Sequence, residues 1–272
     1  SNLNSLPDIS GWDLRNVKNM KEMFSGCENL LELDLSNFKT ENVVDIEGMF
    51  YDCVSLERIN LSSFDTKNVE MMNWLFHGCH ALTSINITNF NTSKVYRATS
   101  LFDQCHSLES IDVSHMDTSN MESMGGMFSS CINLKSIDLS NFNTAKATDI
   151  SSMFYSCYSL EYIDLSSFDT RNIEYMFMLF ADCTSLKGVN ISNFNTENLG
   201  YMHLMFEGCI NLEFLNITNF VFNDAVVDPD YYYSMFDEDY KLHLVITADF
   251  YFSIIDQNSF LEEIDENVTI IW

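Results

Sequence analysis

Basic residues are scarce. Thirteen Lys and Arg stand against 40 Asp and Glu, a formal net charge of −27. A field of that sign repels phosphate backbones and anionic lipid headgroups, so nucleic acid and membrane surfaces are not expected as partners. Cations and basic protein patches are what such a surface attracts. Proline occurs only as Pro7 and Pro229, and no Gly/Ser/Pro-rich linker interrupts the chain, so its 272 residues read as one continuous body. No run of 18 apolar residues exists, which leaves no candidate for a bilayer-spanning helix. The first ten residues, SNLNSLPDIS, lack a basic and an apolar region, so any signal or anchor is expected outside this segment. Catalytic signatures are missing too: there is no G-x-S-x-G, no H-E-x-x-H and no phosphate loop. An enzyme is not expected.

What is present is a period. The cysteines are Cys27, Cys53, Cys79, Cys105, Cys131, Cys157, Cys183 and Cys209, each 26 residues after the last. A fixed spacing of that length is the signature of stacked repeats. Three residues after each cysteine stands a leucine, from Leu30 to Leu212, followed by an alternating run such as Leu33-Asp34-Leu35 or Ile163-Asp164-Leu165. Alternation predicts a strand with one buried and one wet face. An aromatic follows (Phe38, Phe64, Phe90, Phe142, Phe168, Phe194; Met116 once), and two residues later a threonine, Thr40 through Thr196. Threonine ahead of an apolar-periodic segment predicts a helix N-cap. Val43, Ile46, Phe50 and Cys53 then fall on one stripe of a helix of roughly three turns. The residue before each cysteine suits a left-handed close where it is Gly or Asp (Gly26, Asp52, Gly78, Asp182, Gly208), while Gln104, Ser130 and Ser156 fit less well.

The expected fold is therefore α/β: a solenoid of about eight strand–helix coils with a parallel sheet on its concave side. The cysteine, where the helix face meets the core, is expected as a small buried hydrophobe. Bridges between equivalent cysteines need Cα atoms within about 7 Å, closer than helices on adjacent coils usually approach. The solenoid is expected over residues 1–220. The N-terminus begins part-way through a coil, with Ile9 at the Leu35 position and Trp12 at the Phe38 position, so upstream sequence is suspected. Past Phe220 the register breaks, Phe236 lies 30 residues beyond Phe206, and residues 221–272 are expected as an irregular last repeat and C-terminal cap with two strand-like runs.

The L-x-x-L-x-L spine (Leu30, Leu33, Leu35) resembles leucine-rich repeats. The longer pattern L-x-x-L-D-L-S-x-F-x-T-x-N-V-x-x-M-x-x-M-F-x-G-C resembles the BspA-like bacterial surface proteins and the lipoprotein repeats of unknown function of wall-less bacteria. It covers roughly residues 7–220. The resemblance implies a surface-exposed or extracellular bacterial protein that adheres to host or neighbouring-cell macromolecules, and it carries no catalytic motif. One departure is that Phe38 and its equivalents hold the position of the usual asparagine ladder; Asn37, Asn89, Asn141, Asn193 and Asn219 lie one place earlier, so that ladder cannot be assumed.

Candidate sites come from columns of equivalent residues. Asp112, Asp138 and Asp164 are three consecutive carboxylates on strands about 4.8 Å apart, an oxygen set that calcium accepts, although hydrogen bonding along the ladder would use the same oxygens. Two places earlier in each coil stand Glu32, Arg58, Ser84, Ser110, Ser136, Tyr162, Gly188 and Phe214. Tyr162 and Phe214 flank Gly188, with Asp164 and Asn190 alongside. The expected result is a ring-bordered notch for a basic or hydrophobic side chain of a partner. On the opposite side Tyr175, Phe177, Tyr201 and His203 cluster, and His77, His80, Asp103 and His106 offer zinc-type ligands near two coil ends. The sequons at Asn60, Asn86, Asn190 and Asn216 fall inside strands, where glycans would block the sheet; this argues against a eukaryotic secretory origin. Beside the binding reading stands a second one, a purely structural spacer that presents another domain.

Overall fold

A computed structural model describes residue 9, residues 11–220, residue 235 and residues 243–247 and 268–271. Short parallel strands mark one face: β1 (Glu32–Asp34), β2 (Arg58–Asn60), β3 (Tyr162–Asp164), β4 (Gly188–Asn190), β5 (Phe214–Asn216), β6 (His243–Thr247) and β7 (Val268–Ile271). β1 pairs with β2, and β3 through β7 form a second sheet in chain order. Partners such as Glu32↔Arg58 and Tyr162↔Gly188 are one repeat apart. In β1, β3 and β5 the central residue is buried and its two neighbours exposed, the alternation expected from the sequence. The pairing Phe214↔His243 carries the sheet past residue 220 into β6, three residues beyond the normal repeat. Two strands in the tail agree with the two strand-like runs; Phe236 and the acidic stretch between the strands lie outside the described residues.

The helices do not form. Among the described residues there is no α-helix, and the segment with the helical stripe is a chain of four-residue turns. Its N–H groups alternate in role. Those of Met49, Tyr51 and Cys53 close turns onto Ile46, Gly48 and Phe50. Those of Ile46, Gly48, Phe50 and Asp52 donate to Met71, Asn73, Leu75 and His77 of the next coil at 2.8–3.2 Å. A helix would spend all these groups internally. The turn chain satisfies every second one across the coil boundary and so ties neighbours together through backbone.

This route needs two left-handed residues per coil. One column, Glu22, Gly48, Trp74, Ser100, Gly126, Ser152, Met178 and Leu204, has φ between 52° and 63°. The second, Gly26, Asp52, Gly78, Gln104, Ser130, Ser156, Asp182 and Gly208, has φ between 53° and 72° and sits just before cysteine, as expected, with Gln104, Ser130 and Ser156 included. Positive φ at the third position of a turn is type II geometry. At Gly78 a Cβ would stand 2.3 Å from Asp52 Oδ1, so close approach adds to the demand for glycine.

Side chains supply further rungs. The threonines are not helix caps. Thr118 Oγ1 accepts from Asn143 N–H (2.7 Å) and donates to Asn143 C=O (3.0 Å) of the next coil, and Thr40, Thr66 and Thr170 repeat the pair of bonds. Asn89 Nδ2 donates to Leu61 and Phe64 carbonyls, and Asn141 Nδ2 to those of Val113 and Met116, with Ser63 and Ser167 as shorter rungs; Asn193 and Asn219 instead reach the carbonyls of Ser166 and Ser192, so the shifted position carries asparagine rungs but no unbroken ladder. The thiols also act as donors: Cys53 through Cys209 each point S–H at a phenylalanine carbonyl 29 residues earlier, at 3.1–3.3 Å. That is why cysteine, and not alanine, stands at the close of the coil. Inside these shells run two stacks of rings. Phe24, Phe50, Phe76, Phe102, Phe128, Phe154, Phe180 and Phe206 stack with centroids 5.4–5.9 Å apart. Phe38, Phe64 and Phe90 form part of the second, at 6.3–6.4 Å.

All eight cysteines are free and buried. Burial pushes the Cys53 and Cys157 thiols up to about 12 and those of Cys79, Cys105, Cys131 and Cys183 well above the ordinary range, so they are protonated at neutral pH and poor nucleophiles. Alkylating reagents should leave them unmodified in the native protein and label them after denaturation, as read by mass spectrometry; rapid native labelling of several would contradict the packing. Thr118→Val, which keeps the shape but takes away the partner of the part-buried Asn143 N–H and C=O, should destabilise by about 1 kcal/mol in urea melts. Thr118→Ser keeps the hydroxyl and should lose less.

Candidate functional site

The strand face carries its side chains in straight columns because consecutive coils pair in register. At its start the outer column is charged, with Arg58 ion-paired to Glu32. A depression of about 670 Å³ between Arg58 and Ser107 follows, lined by polar groups and aliphatic carbon, with no aromatic. Further on the column becomes aromatic. Tyr162 and Phe214 are 61% and 51% exposed. β3, β4 and β5 set Tyr162, Gly188 and Phe214 side by side.

A shallow notch of about 340 Å³ lies here, lined by Ile137, Tyr162, Ile163, Asp164, Gly188, Val189 and Asn190. The structure thus brings together Tyr162, Asp164 and Asn190 around Gly188. A Cβ at Gly188 would touch the Tyr162 ring at 3.5 Å, so the ring leans over the glycine and the missing side chain makes room for it. Lys187 Nζ lies 5.9 Å from the Tyr162 centroid while bound to Glu161 at 2.6 Å, an internal cation already at the aromatic face. Phe214 does not line the notch; its ring stacks on His243 at 6.0 Å, extending the aromatic strip along the sheet. One aromatic wall, not two, borders the gap.

Asp112, Asp138 and Asp164 occupy adjacent coils of the wet column, but each turns one oxygen back on its own chain. Asp112 accepts from Ser114 N–H and Oγ, Asp138 from Ser140 N–H and Asp164 from Ser166 N–H, at 2.6–3.0 Å. The same Asx turn is made by Asn60, Asn86, Asn190 and Asn216. Among the described residues no group of three or more His, Cys, Asp or Glu is gathered closely enough to hold a metal ion. The column's carboxylates shape strand exits. The histidine set divides likewise into pairs. His77 Nδ1 lies 3.1 Å from Asp103 Oδ2, an ion-pair distance without hydrogen-bond alignment, and His80 stacks on His106 at 4.2 Å. Desolvation, then the His80 charge, holds His106 below the usual imidazole value. On the turn face Tyr175 stacks on Tyr201 at 5.1 Å and Phe177 on His203 at 5.2 Å.

Sequence reading missed a cavity of about 550 Å³ on the turn face, lined by Lys21, Glu22, Ser25, Glu47, Gly48, Tyr51, Trp74 and His77. Its one sequence signal is a tryptophan at a wet position of the stripe.

Parallel strands at one-repeat offsets, leucines inside and a ladder of Asn and Thr rungs define a leucine-rich-repeat solenoid. The chain belongs to the family described as Mycoplasma protein of unknown function, DUF285, which matches residues 1–109, 74–186 and 159–248. This is the repeat family of wall-less bacteria that the motif resembles. No curated protein matches the chain. Solved structures similar to it include a leucine-rich-repeat protein of T. pallidum (22% identity, 57% of this chain and 76% of that one, TM-score 0.35). A leucine-rich cell surface protein of Faecalibacterium prausnitzii is 16% identical over 85% of this chain and 76% of that one, TM-score 0.36. A leucine-rich-repeat protein of Bacteroides ovatus is 17% identical over 98% and 91%, TM-score 0.29. At these scores the overlays carry no argument, and the architecture rests on this chain's own pairings.

The Asx turns have a pH signature. Hydrogen bonds from the serine two residues on hold Asp34, Asp112, Asp138 and Asp164 below the ordinary aspartate value, with the backbone N–H leading at Asp34 and Asp138 and the hydroxyl at Asp112 and Asp164. A carboxylate whose folded pKa is lowered contributes stability that is present above its unfolded value of about 3.9 and is lost as pH falls through the folded one. Asp138→Asn keeps the turn acceptor without the charge. It should melt slightly below the parent at neutral pH, where the charge contributes, and lose less than the parent on acidification to about pH 3; an equal acid loss would remove Asp138 from the account.

Proposed function

We propose that this chain is a non-catalytic, surface-exposed bacterial interaction module that holds a macromolecular partner, a protein of the host or of a neighbouring cell, on the strand face of the solenoid. The observation that carries the reading is Tyr162: a largely exposed ring on a short, register-locked strand, beside a glycine gap and a charged Asp164. Exposed aromatics on a rigid sheet lose little entropy on binding and are common anchors. The acidic surface favours a basic patch on the partner and disfavours nucleic acid. Residues 221–272 act, in this reading, as the irregular last repeat and cap that close the array beyond Phe220. The family resemblance supports location outside the cell.

A second reading, a spacer that presents another domain, is favoured by the repeated rungs of Thr and Cys that tie coil to coil. A stalk needs that stiffness and no binding face.

Immobilised protein tested against host extracellular-matrix proteins and surface extracts of neighbouring bacteria separates the two. The binding reading expects Tyr162→Ala to weaken capture by about tenfold or more, a hot-spot effect, and Phe214→Ala to weaken it less, since Phe214 lies outside the notch. Both variants should melt close to the parent, and Ser110→Ala in the same column should change nothing. Normal capture by Tyr162→Ala would move the docking face elsewhere. No capture by the parent protein would leave the spacer.

A further inference from the structure

The turn face carries a cavity of its own, away from the strand face. Trp74 stands in the first left-handed column, at φ 55°, where its counterparts run from Gly48, Ser100, Gly126 and Ser152 to Glu22, Met178 and Leu204. A bulky side chain is disfavoured in that conformation. Burial does not offset the cost, because Trp74 remains 41% exposed. Its ring instead forms a wall of the 550 Å³ cavity, a volume in the range of small-molecule sites. Tyr51 and His77 supply another aromatic wall, stacked on each other at 4.7 Å. Gly48 contributes no side chain, and Glu22 Cγ lies only 3.3 Å from where its Cβ would be, so the acidic side chain lies across the open position.

Lys21 is the one Lys or Arg in the cavity lining, and the charges of both Glu47 and Glu22 act on it. Lys21 is bound to Glu47 at 3.3 Å, and Asn73 takes the other Glu47 oxygen. Among the described residues the Glu22 carboxylate has no hydrogen-bond or ion-pair partner, and it is exposed at the cavity. A solvent-exposed carboxylate beside the faces of an indole and a phenol is an environment that favours a soft cation.

We propose that this cavity is a binding site for an organic ammonium ion, held by the face of Trp74 and the carboxylate of Glu22. The polar rim around Ser25 keeps it open to solvent, so the ligand is a small alkylated ammonium group that loses little hydration on entry. A free amine and the ammonium head of a larger molecule share this chemistry, and both present the same group to the ring.

The test is a titration of the full chain with tetramethylammonium chloride, followed by the line width of the ligand's methyl resonance. Sodium chloride serves as the ionic control and tert-butanol as an uncharged match of similar shape. The expected result is saturable broadening with tetramethylammonium alone. Trp74→Gly, which suits the left-handed backbone and should fold at least as well as the parent, should abolish it. Glu22→Gln should weaken affinity by about threefold or more. Saturation by choline but not by tetramethylammonium would assign the site to a hydroxyl-recognised head and overturn the simple ammonium site. Equal binding of tert-butanol, broadening no greater than with sodium chloride, or unchanged affinity in folded Trp74→Gly would each overturn it as well.

Discussion

A solenoid coil cannot satisfy its own backbone, and everything in this protein follows from where the leftover N–H and C=O groups go. Here they go to the next coil. On one face they pair as short parallel strands, and on the other the alternate amides of a turn chain reach across to carbonyls one repeat away, through a line of parallel bridges from Asn19↔Asp45 to Tyr175↔Tyr201. Thr, Asn and Cys side chains bridge the stretches between. Because a buried polar group left unpaired costs about 1–3 kcal/mol, each coil depends for its stability on the coils beside it.

That constraint also decides what the surface can carry. Inward positions are committed to ring stacks and aliphatic columns, and most polar positions near the backbone are committed to rungs or Asx turns. What remains free is a set of outward columns whose residues vary from coil to coil. Where the column changes chemistry, as between Ser136, Tyr162, Gly188 and Phe214, the regular surface acquires a local feature, the notch beside Gly188. Trp74 on the turn face is the same phenomenon at a left-handed position. The aspartates of the wet column, by contrast, serve the chain itself.

Much of this was legible in the sequence. The 26-residue spacing fixed the coil, the strand alternation marked which of Leu33 and Asp34 faces inward, and Gly26, Gly78 and Gly208 announced the left-handed close. The helix was not there to be read. Ile46, Phe50 and Cys53 all point inward, as a helical stripe requires, but consecutive four-residue turns return the chain to the core at nearly the same interval, and periodicity cannot separate the two. Residues against the helix were present: Gly48, Gly126, Ser100 and Ser152 stand mid-segment, where helix propensity is poor. Thr118 as a rung was hidden for a similar reason, since a threonine hydroxyl serves an N-cap and an inter-coil clasp equally well. The notch at Gly188 was legible from its column, while the turn of Phe214 toward His243 was not, because the four-residue insertion before Met235 shifts the next coil. Chain order alone gives no register across such a break.

The central claim, that coils are held by backbone bonds between turns and not by helices within them, is tested most directly by through-hydrogen-bond scalar couplings in the isotopically labelled protein. Phe128 N–H donates to Met153 C=O at 3.0 Å across the coil boundary, and Gly126 and Ser130 donate to Ser151 and Tyr155 in the same way. The Phe128 amide nitrogen should therefore show a coupling to the carbonyl carbon of Met153. A coupling to Met124, four residues back along the chain, would show a helix and contradict the account.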